Sequence, residues 1–210
     1  MARRKTPAEK KMEFIQVAEE LFLEKGYENT SVDDIVKKMG AAKGLFYYYF
    51  DSKDDVILAI ADMMYEEIGR NIEQIMAQPE MTALERFQAL GQSKQFARKR
   101  SQFMKEFFHL ERNRNLHYAM DERVNDMMVP IFERIIRQGI EEGIFSTPYP
   151  KETAQALLSI FSGLGRRNLR DADQSDKMRV FGFLQLVMER MLAAPPGTFD
   201  RIMKDAPNDG

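Results

Sequence analysis

The chain is 210 residues long and 44% hydrophobic, enough to bury a sizeable core and too apolar for wholesale disorder. Its formal net charge of −2 argues against indiscriminate binding of nucleic acid by the whole molecule. The lack of cysteine excludes disulfides, thiolate metal sites and a cysteine nucleophile. No apolar run approaches the length of a membrane span, and the first residues show no apolar leader, so a soluble, cytoplasmic protein without membrane contact is expected.

In chain order, Thr6-Pro7-Ala8-Glu9 has the make-up of a helix start, with a threonine N-cap, proline at the first helical position and glutamate at the third. Phe14, Ile15, Ala18, Leu21 and Phe22 then recur at helical spacing until Gly26. Ser31 with Asp34 forms a second capping box, and Val32, Ile35, Val36 and Met39 give the next helix one buried stripe. Gly40 permits the left-handed backbone that ends it, and Phe46 and Tyr47 begin a new apolar face only a few residues later. Two short helices so close must cross steeply, which is the helix-turn-helix arrangement whose second helix can enter the major groove of DNA.

Ser52 with Asp55 opens a long helix, apolar at Val56, Ile57, Ile60, Met64, Ile68, Ile72 and Ile75 before Pro79. Thr82 with Glu85 caps the next, which carries Leu84, Phe87 and Leu90, and a basic, aromatic segment extends from Lys94 to Arg114. Met120 to Glu142 is expected to be helical, with Pro130 kinking or breaking it. Pro150 is placed to open a helix ending near Asn168, residues 171–176 read as a polar linker, and a last helix covers about Lys177 to Leu192. Without sustained period-2 alternation or an internal repeat, the fold is expected to be all-α.

Residues Gly26-Tyr27, Thr30-Ser31-Val32, Asp34-Ile35, Gly40, Lys43-Gly44 and Phe46-Tyr47-Tyr48-Tyr49-Phe50 through Ser52-Lys53 together closely resemble the DNA-binding domain of TetR-family transcriptional regulators. The rest of the chain resembles the family only in being helical and of fitting length. The resemblance implies a three-helix DNA-binding domain over residues 1–52, a helical ligand-sensing and dimerisation domain over 53–194, and residues 195–210 as a mobile tail. It places the recognition helix at Ala41 to Tyr48, with Ala42, Lys43, Gly44 and Leu45 toward the bases, Tyr47 and Tyr49, in preference to Tyr48, near phosphates together with Lys53, and Thr30 and Ser31 near the DNA backbone. Three adjacent tyrosines cannot all face one way, so at least one belongs to the core. Two departures from the family pattern stand out: Ala42 replaces a usual serine or threonine cap, and Asp51 replaces a frequently basic residue. Arg3, Arg4 and Lys5 are either a solvated tail or an arm reaching the DNA.

By the same resemblance, an effector site is expected among Phe87, Phe103, Met104, Phe107, Met127, Met128, Phe132 and Phe161, with His109 or His117 available to hydrogen-bond a ligand. Most of these must be ordinary core. Glu106 with His109 has the Glu-x-x-His spacing of helical di-metal sites, but such sites need a second copy that the sequence lacks, so neither metal nor cofactor is expected. A homodimer interface is assigned to Leu157, Ile160, Phe161, Leu164, Phe181, Leu184 and Met188 in the last two helices, which can otherwise bury each other without a partner. The function implied is a ligand-responsive dimeric repressor of a double-stranded palindromic operator, released by a small, largely apolar effector. The alternatives are a helical enzyme or a protein-interaction module carrying a vestigial DNA-binding head; the absence of cysteine and of a nucleophile motif argues against the enzyme.

Overall fold

A computed structural model describes residues 5–92, 114–168 and 173–200, and all regular structure among them is helical. The helices are α1 (Pro7–Lys25), α2 (Val32–Met39), α3 (Lys43–Tyr49), α4 (Lys53–Met76), α5 (Ala83–Gln92), α6 (Arg114–Glu141), α7 (Pro150–Asn168) and α8 (Gln174–Met191). They fall into two compact units. The first holds α1 to α3, α4 through Glu67 and the start of α6; the second holds the end of α4, α5, the rest of α6, and α7 and α8. The first unit therefore extends past the boundary expected at residue 52, because Val56, Ile57, Ile60 and Ala61 of α4 are buried in its core.

In the first unit, the expected caps form as hydrogen-bonded boxes. Thr6 Oγ1 accepts the Glu9 N–H at 3.2 Å while Glu9 accepts the Thr6 N–H at 2.6 Å. Ser31 Oγ accepts the Asp34 N–H at 3.1 Å, and Asp34 accepts the Ser31 N–H at 2.9 Å. Each box satisfies donors that a helix start otherwise leaves bare, and a cap of this kind is worth about 1 kcal/mol. Gly40 takes the left-handed conformation (φ 63°, ψ 32°), and the next N–H, that of Ala41, closes back onto Val36 O at 3.0 Å. The core gathers on Phe14, whose ring lies 5.8 Å from Phe46 and 6.5 Å from Phe50, edge-on to both. Phe14, Phe22 and Phe46 are almost fully buried. Removing a side chain of this size from water is worth about 1.5–3 kcal/mol, and buried aliphatic residues such as Ile15, Leu21, Ile35, Ile57 and Ile60 add comparable amounts to the same core.

In the second unit, the buried Arg86 terminates α4. Its guanidinium donates to Met76 O at 2.8 Å, Gln78 O at 2.6 Å and Met81 O at 3.3 Å, satisfying carbonyls at and beyond the helix end. Glu142 reaches the start of α5 and accepts the Ala83 N–H. Helix α6 begins before Met120 and continues past Pro130, so the proline does not break it. Pro130 and Asp126, one turn earlier, are both exposed, so water can serve the carbonyl that proline leaves without a partner. Gly139 is obligatory for a different reason: a Cβ there would lie 2.1 Å from Phe145 Cδ2.

Helices α7 and α8 pack against each other, and α8 starts at Gln174 because Asp173 accepts the Asp176 N–H at 2.8 Å as an N-cap. The tail expected to be mobile from residue 195 is instead held through residue 200. Phe199 is fully buried against Phe87 and Phe145, and the Gly197 N–H donates to Glu189 at 2.7 Å. An apolar anchor after a Pro-Pro-Gly turn reverses the composition-based reading. No helix among the described residues is long and apolar enough to cross a membrane.

Candidate nucleic-acid interface

Helix α3 presents two faces because its aromatic residues are consecutive. Phe46 points into the core, and Leu45 and Tyr49, four residues apart and so on one side, are half-buried, Tyr49 with its ring 6.0 Å from Phe14. The opposite side exposes Ala42, Lys43, Gly44, Tyr47 and Tyr48, the last at 74% of its full surface. A Cβ added at Gly44 would meet nothing, so the backbone there is open to close approach. Ala42 occupies the N-cap position with no side-chain bond, as its chemistry dictates. Ser31 is exposed at the start of α2.

The tyrosine turned toward the core is thus Tyr49, expected near phosphates, whereas Tyr48, the one expected to be less engaged with DNA, is the most exposed of the three. Lys43 reaches across from α3 to α2 and pairs with Asp33 at 2.8 Å; this hydrogen bond raises the ammonium's pKa. Asp34 is held well below the usual carboxylate range, first by the Ser31 hydroxyl, then by the Ser31 N–H and by Lys25.

Two residues expected at the DNA backbone are committed within the protein. Thr30 is 1% exposed, and its hydroxyl is placed to donate to Gly26 O (2.9 Å) or Leu21 O (3.2 Å). Lys53 donates to Tyr27 O at 2.7 Å and Thr30 O at 2.9 Å, with its ammonium 3.8 Å from the centroid of the Tyr27 ring. Partial burial lowers the Lys53 pKa. Tyr27 in turn donates its hydroxyl to Asp54, and burial, more than that bond, raises the phenol's pKa. The sequence marks Tyr27 only as part of the family pattern and does not show its pairing with Asp54 and Lys53, because those residues lie more than 20 positions away in sequence. Lys5 is paired with Glu13 at 2.7 Å, whereas Arg3 and Arg4 lie outside the described residues.

Among the residues expected to line an effector site, Phe87, Phe132 and Phe161 form one aromatic chain, with centroids 5.3 Å and 6.4 Å apart. Met128 is buried and Met127 half-buried on α6. Phe145 and Phe199 extend the chain and were missed, since each stands beyond a glycine turn where helical periodicity gives no signal. Phe103, Met104, Phe107 and His109 lie outside the described residues, as do Glu106 and the side chain of His117.

The expected dimer residues divide. Leu157, Leu184 and Met188 are buried within their own chain and are unavailable to a partner, whereas Ile160, Phe161, Leu164 and Phe181 are half-buried. The apolar period picked the inner stripe of each helix, which a core-facing helix also shows. The outer surface of α8 instead exposes Met178, Phe183 and Leu186, and Gly163 of α7 and Gly182 of α8 are open to the approach of another backbone.

Comparison with known proteins assigns both parts of the chain. Residues 14–60 match the pattern described as bacterial regulatory proteins, tetR family, and residues 97–178 match that of a tetracyclin repressor-like C-terminal domain. The helix-turn-helix regulator YvdT of Bacillus subtilis is 52% identical over 48 residues, which are 23% of this chain and 25% of that protein. Similar regulators of Lactococcus lactis and Bacillus subtilis are likewise matched over only about a quarter of their length. The fatty acid metabolism regulator protein of Bacillus subtilis is 27% identical over 139 residues, 64% of this chain and 70% of that one. The crystal structure of a TetR/AcrR-family regulator from Thermobifida fusca superposes with a TM-score of 0.59 at 27% identity, covering 85% of this chain and 96% of the other. With the capped helix-turn-helix at its head and the helical domain behind it, the chain belongs to the TetR family, whose members are DNA-binding transcriptional regulators and not enzymes.

Proposed function

We propose that the chain is a cytoplasmic, dimeric repressor that reads a palindromic operator with α3 and is released by a small, largely apolar effector. The observation that carries the reading is the outward face of α3, where Lys43, Gly44, Tyr47 and Tyr48 are exposed on a helix anchored by Phe46. The N-terminal residues of such a helix meet base edges in the major groove, and an exposed lysine there can donate to guanine O6 or N7. Ser31 and Ala42 approach the sugar-phosphate backbone. Thr30, Leu45, Tyr49 and Lys53 act from behind by fixing the reading surface, which their burial and internal bonds support.

The second copy covers the outer surface of α7 and α8, where Met178, Phe183 and Leu186 are exposed. Dimer geometry then sets operator half-sites about one helical turn, or a multiple of it, apart. The effector docks at the aromatic chain of Phe87, Phe132 and Phe161 with Met127 and Met128. It shifts α4 and changes the spacing of the two reading heads. For release, it must bind the DNA-incompetent state more tightly than the competent one. The name of the fatty acid metabolism regulator makes fatty acids the first effectors to try.

The experiment selects binding sites from a randomised duplex pool and then titrates the winners by gel shift at moderate salt, with dimer mass verified by sedimentation. A palindromic consensus bound tightly, and released by a fatty acid, is the expected outcome. A folded dimer that enriches no sequence ends the repressor reading.

A further inference from the structure

An acidic residue on a surface that must meet phosphates is unfavourable unless it serves selection. Asp33 is such a residue. It lies in the first turn of α2, its side chain is 71% exposed, and its carboxylate contacts the Lys43 ammonium at 2.8 Å. Its neighbour Asp34 is consumed by the Ser31 cap and by Lys25, so the cap does not need Asp33. Lys43 is the first residue of α3 and half-exposed, which leaves this pair at the solvent-facing junction of the two helices. Wherever the Lys43 ammonium goes on docking, the Asp33 carboxylate begins within one hydrogen bond of it.

We propose that Asp33 is a specificity-determining residue, which holds Lys43 off random DNA and accepts a hydrogen bond from a cytosine or adenine amino group in the operator. The inference rests on α3 reading DNA. Its physical basis is an asymmetry between sites. On random sequence, the carboxylate faces phosphates and occupies the one cation at the start of α3, so contacts driven by counterion release are weakened. On the right sequence, Lys43 transfers to a guanine edge, and the freed carboxylate finds a donor of the kind that only cytosine N4 or adenine N6 supplies in the major groove. An exposed ion pair is weak enough to open at little cost. Misplaced sequence leaves the carboxylate against acceptors alone, so the residue penalises wrong partners as well as rewarding the right one.

The test uses the full-length chain, a duplex selected by the wild type from a randomised pool, and a scrambled duplex of equal length. Dissociation constants are measured from low to moderate salt for the wild type, Asp33→Asn, Lys43→Gln and the double variant. Asp33→Asn is expected to bind scrambled duplex at least about threefold tighter with a salt slope steeper by about 1. It should also shrink the selected-to-scrambled ratio by about tenfold. The two single effects on that ratio should not multiply in the double variant, because the residues share one contact. Asp33 is exposed and outside the cap, so losing its charge from the first turn of α2 should lower the melting temperature only slightly, and circular dichroism checks that the fold is kept. A ratio unchanged by Asp33→Asn, or scrambled duplex bound no more tightly, overturns the proposal. A wild type that selects no sequence overturns instead the DNA-reading function beneath it.

Discussion

Lys53 shows how a residue's place in a motif and its place in a structure can differ. A lysine at a helix start invites assignment to a phosphate, yet here two of its three ammonium protons serve the carbonyls of Tyr27 and Thr30. Lys53→Ala removes both charge-assisted bonds and the contact with the Tyr27 ring, so urea denaturation should show a loss of about 1–2 kcal/mol. Operator affinity should weaken while the salt slope stays within about 0.3 of the wild type; a slope flatter by about 1 would reveal a phosphate contact instead. The tyrosines separate in the same way. Tyr48→Ala should leave stability within about 0.5 kcal/mol and weaken operator binding. Tyr49→Ala removes packing against Phe14 and should cost about 1–3 kcal/mol, measured by thermal or chemical denaturation.

At the scale of the element, the capping residues decide which helices are robust. Helix α2 has a complete box and α3 has none, because Ala42 offers no acceptor. Ala42→Ser should therefore stabilise the first unit by about 1 kcal/mol, read as a raised melting temperature. The Asp34 half of the α2 box carries a pH dependence. Its carboxyl is lowered by Ser31 and Lys25, so the folded state binds its proton less readily than the unfolded chain does. The stability it contributes is complete above the unfolded value of about 4 and is lost as pH falls through the folded value. Denaturation of the wild type and Asp34→Asn from neutral pH to pH 2 should show a difference that is full at neutrality and narrows below about pH 4. In the second unit, the constraint lies in a contact between elements. Gly139→Ala drives a methyl into the Phe145 ring and should destabilise by about 1–3 kcal/mol or more, in contrast to the usual gain from alanine in a helix.

For the whole molecule, the exposed apolar residues of α8 bear on assembly. If a second copy covers them, Phe183→Asp with Leu186→Glu should yield monomers by sedimentation and lose cooperative operator binding, whereas the subunit core, built on Leu157, Leu184 and Met188, stays intact. Local order was legible in the sequence: the caps at Thr6, Ser31, Ser52 and Thr82, the glycine stop at Gly40 and the helical stripes all depend on residues within one or two turns of each other. The helix-turn-helix followed from these alone, whereas the family followed from the resemblance of the residues between Gly26 and Lys53 to its DNA-binding domain. What needed the tertiary structure was every choice between faces and partners. Periodicity marked Leu184 and Met188 as apolar without saying that they pack within their own chain. It marked three tyrosines without saying that Tyr49 turns inward, and it treated residues 195–200 as a tail although Phe199 closes a core. The pairing of Lys43 with Asp33 and of Lys53 with the Tyr27 and Thr30 carbonyls likewise depends on where a turn brings chain segments together. Short-range hydrogen bonds and helical spacing are written in neighbouring residues, whereas burial and charge pairing are properties of surfaces that only folding brings into contact.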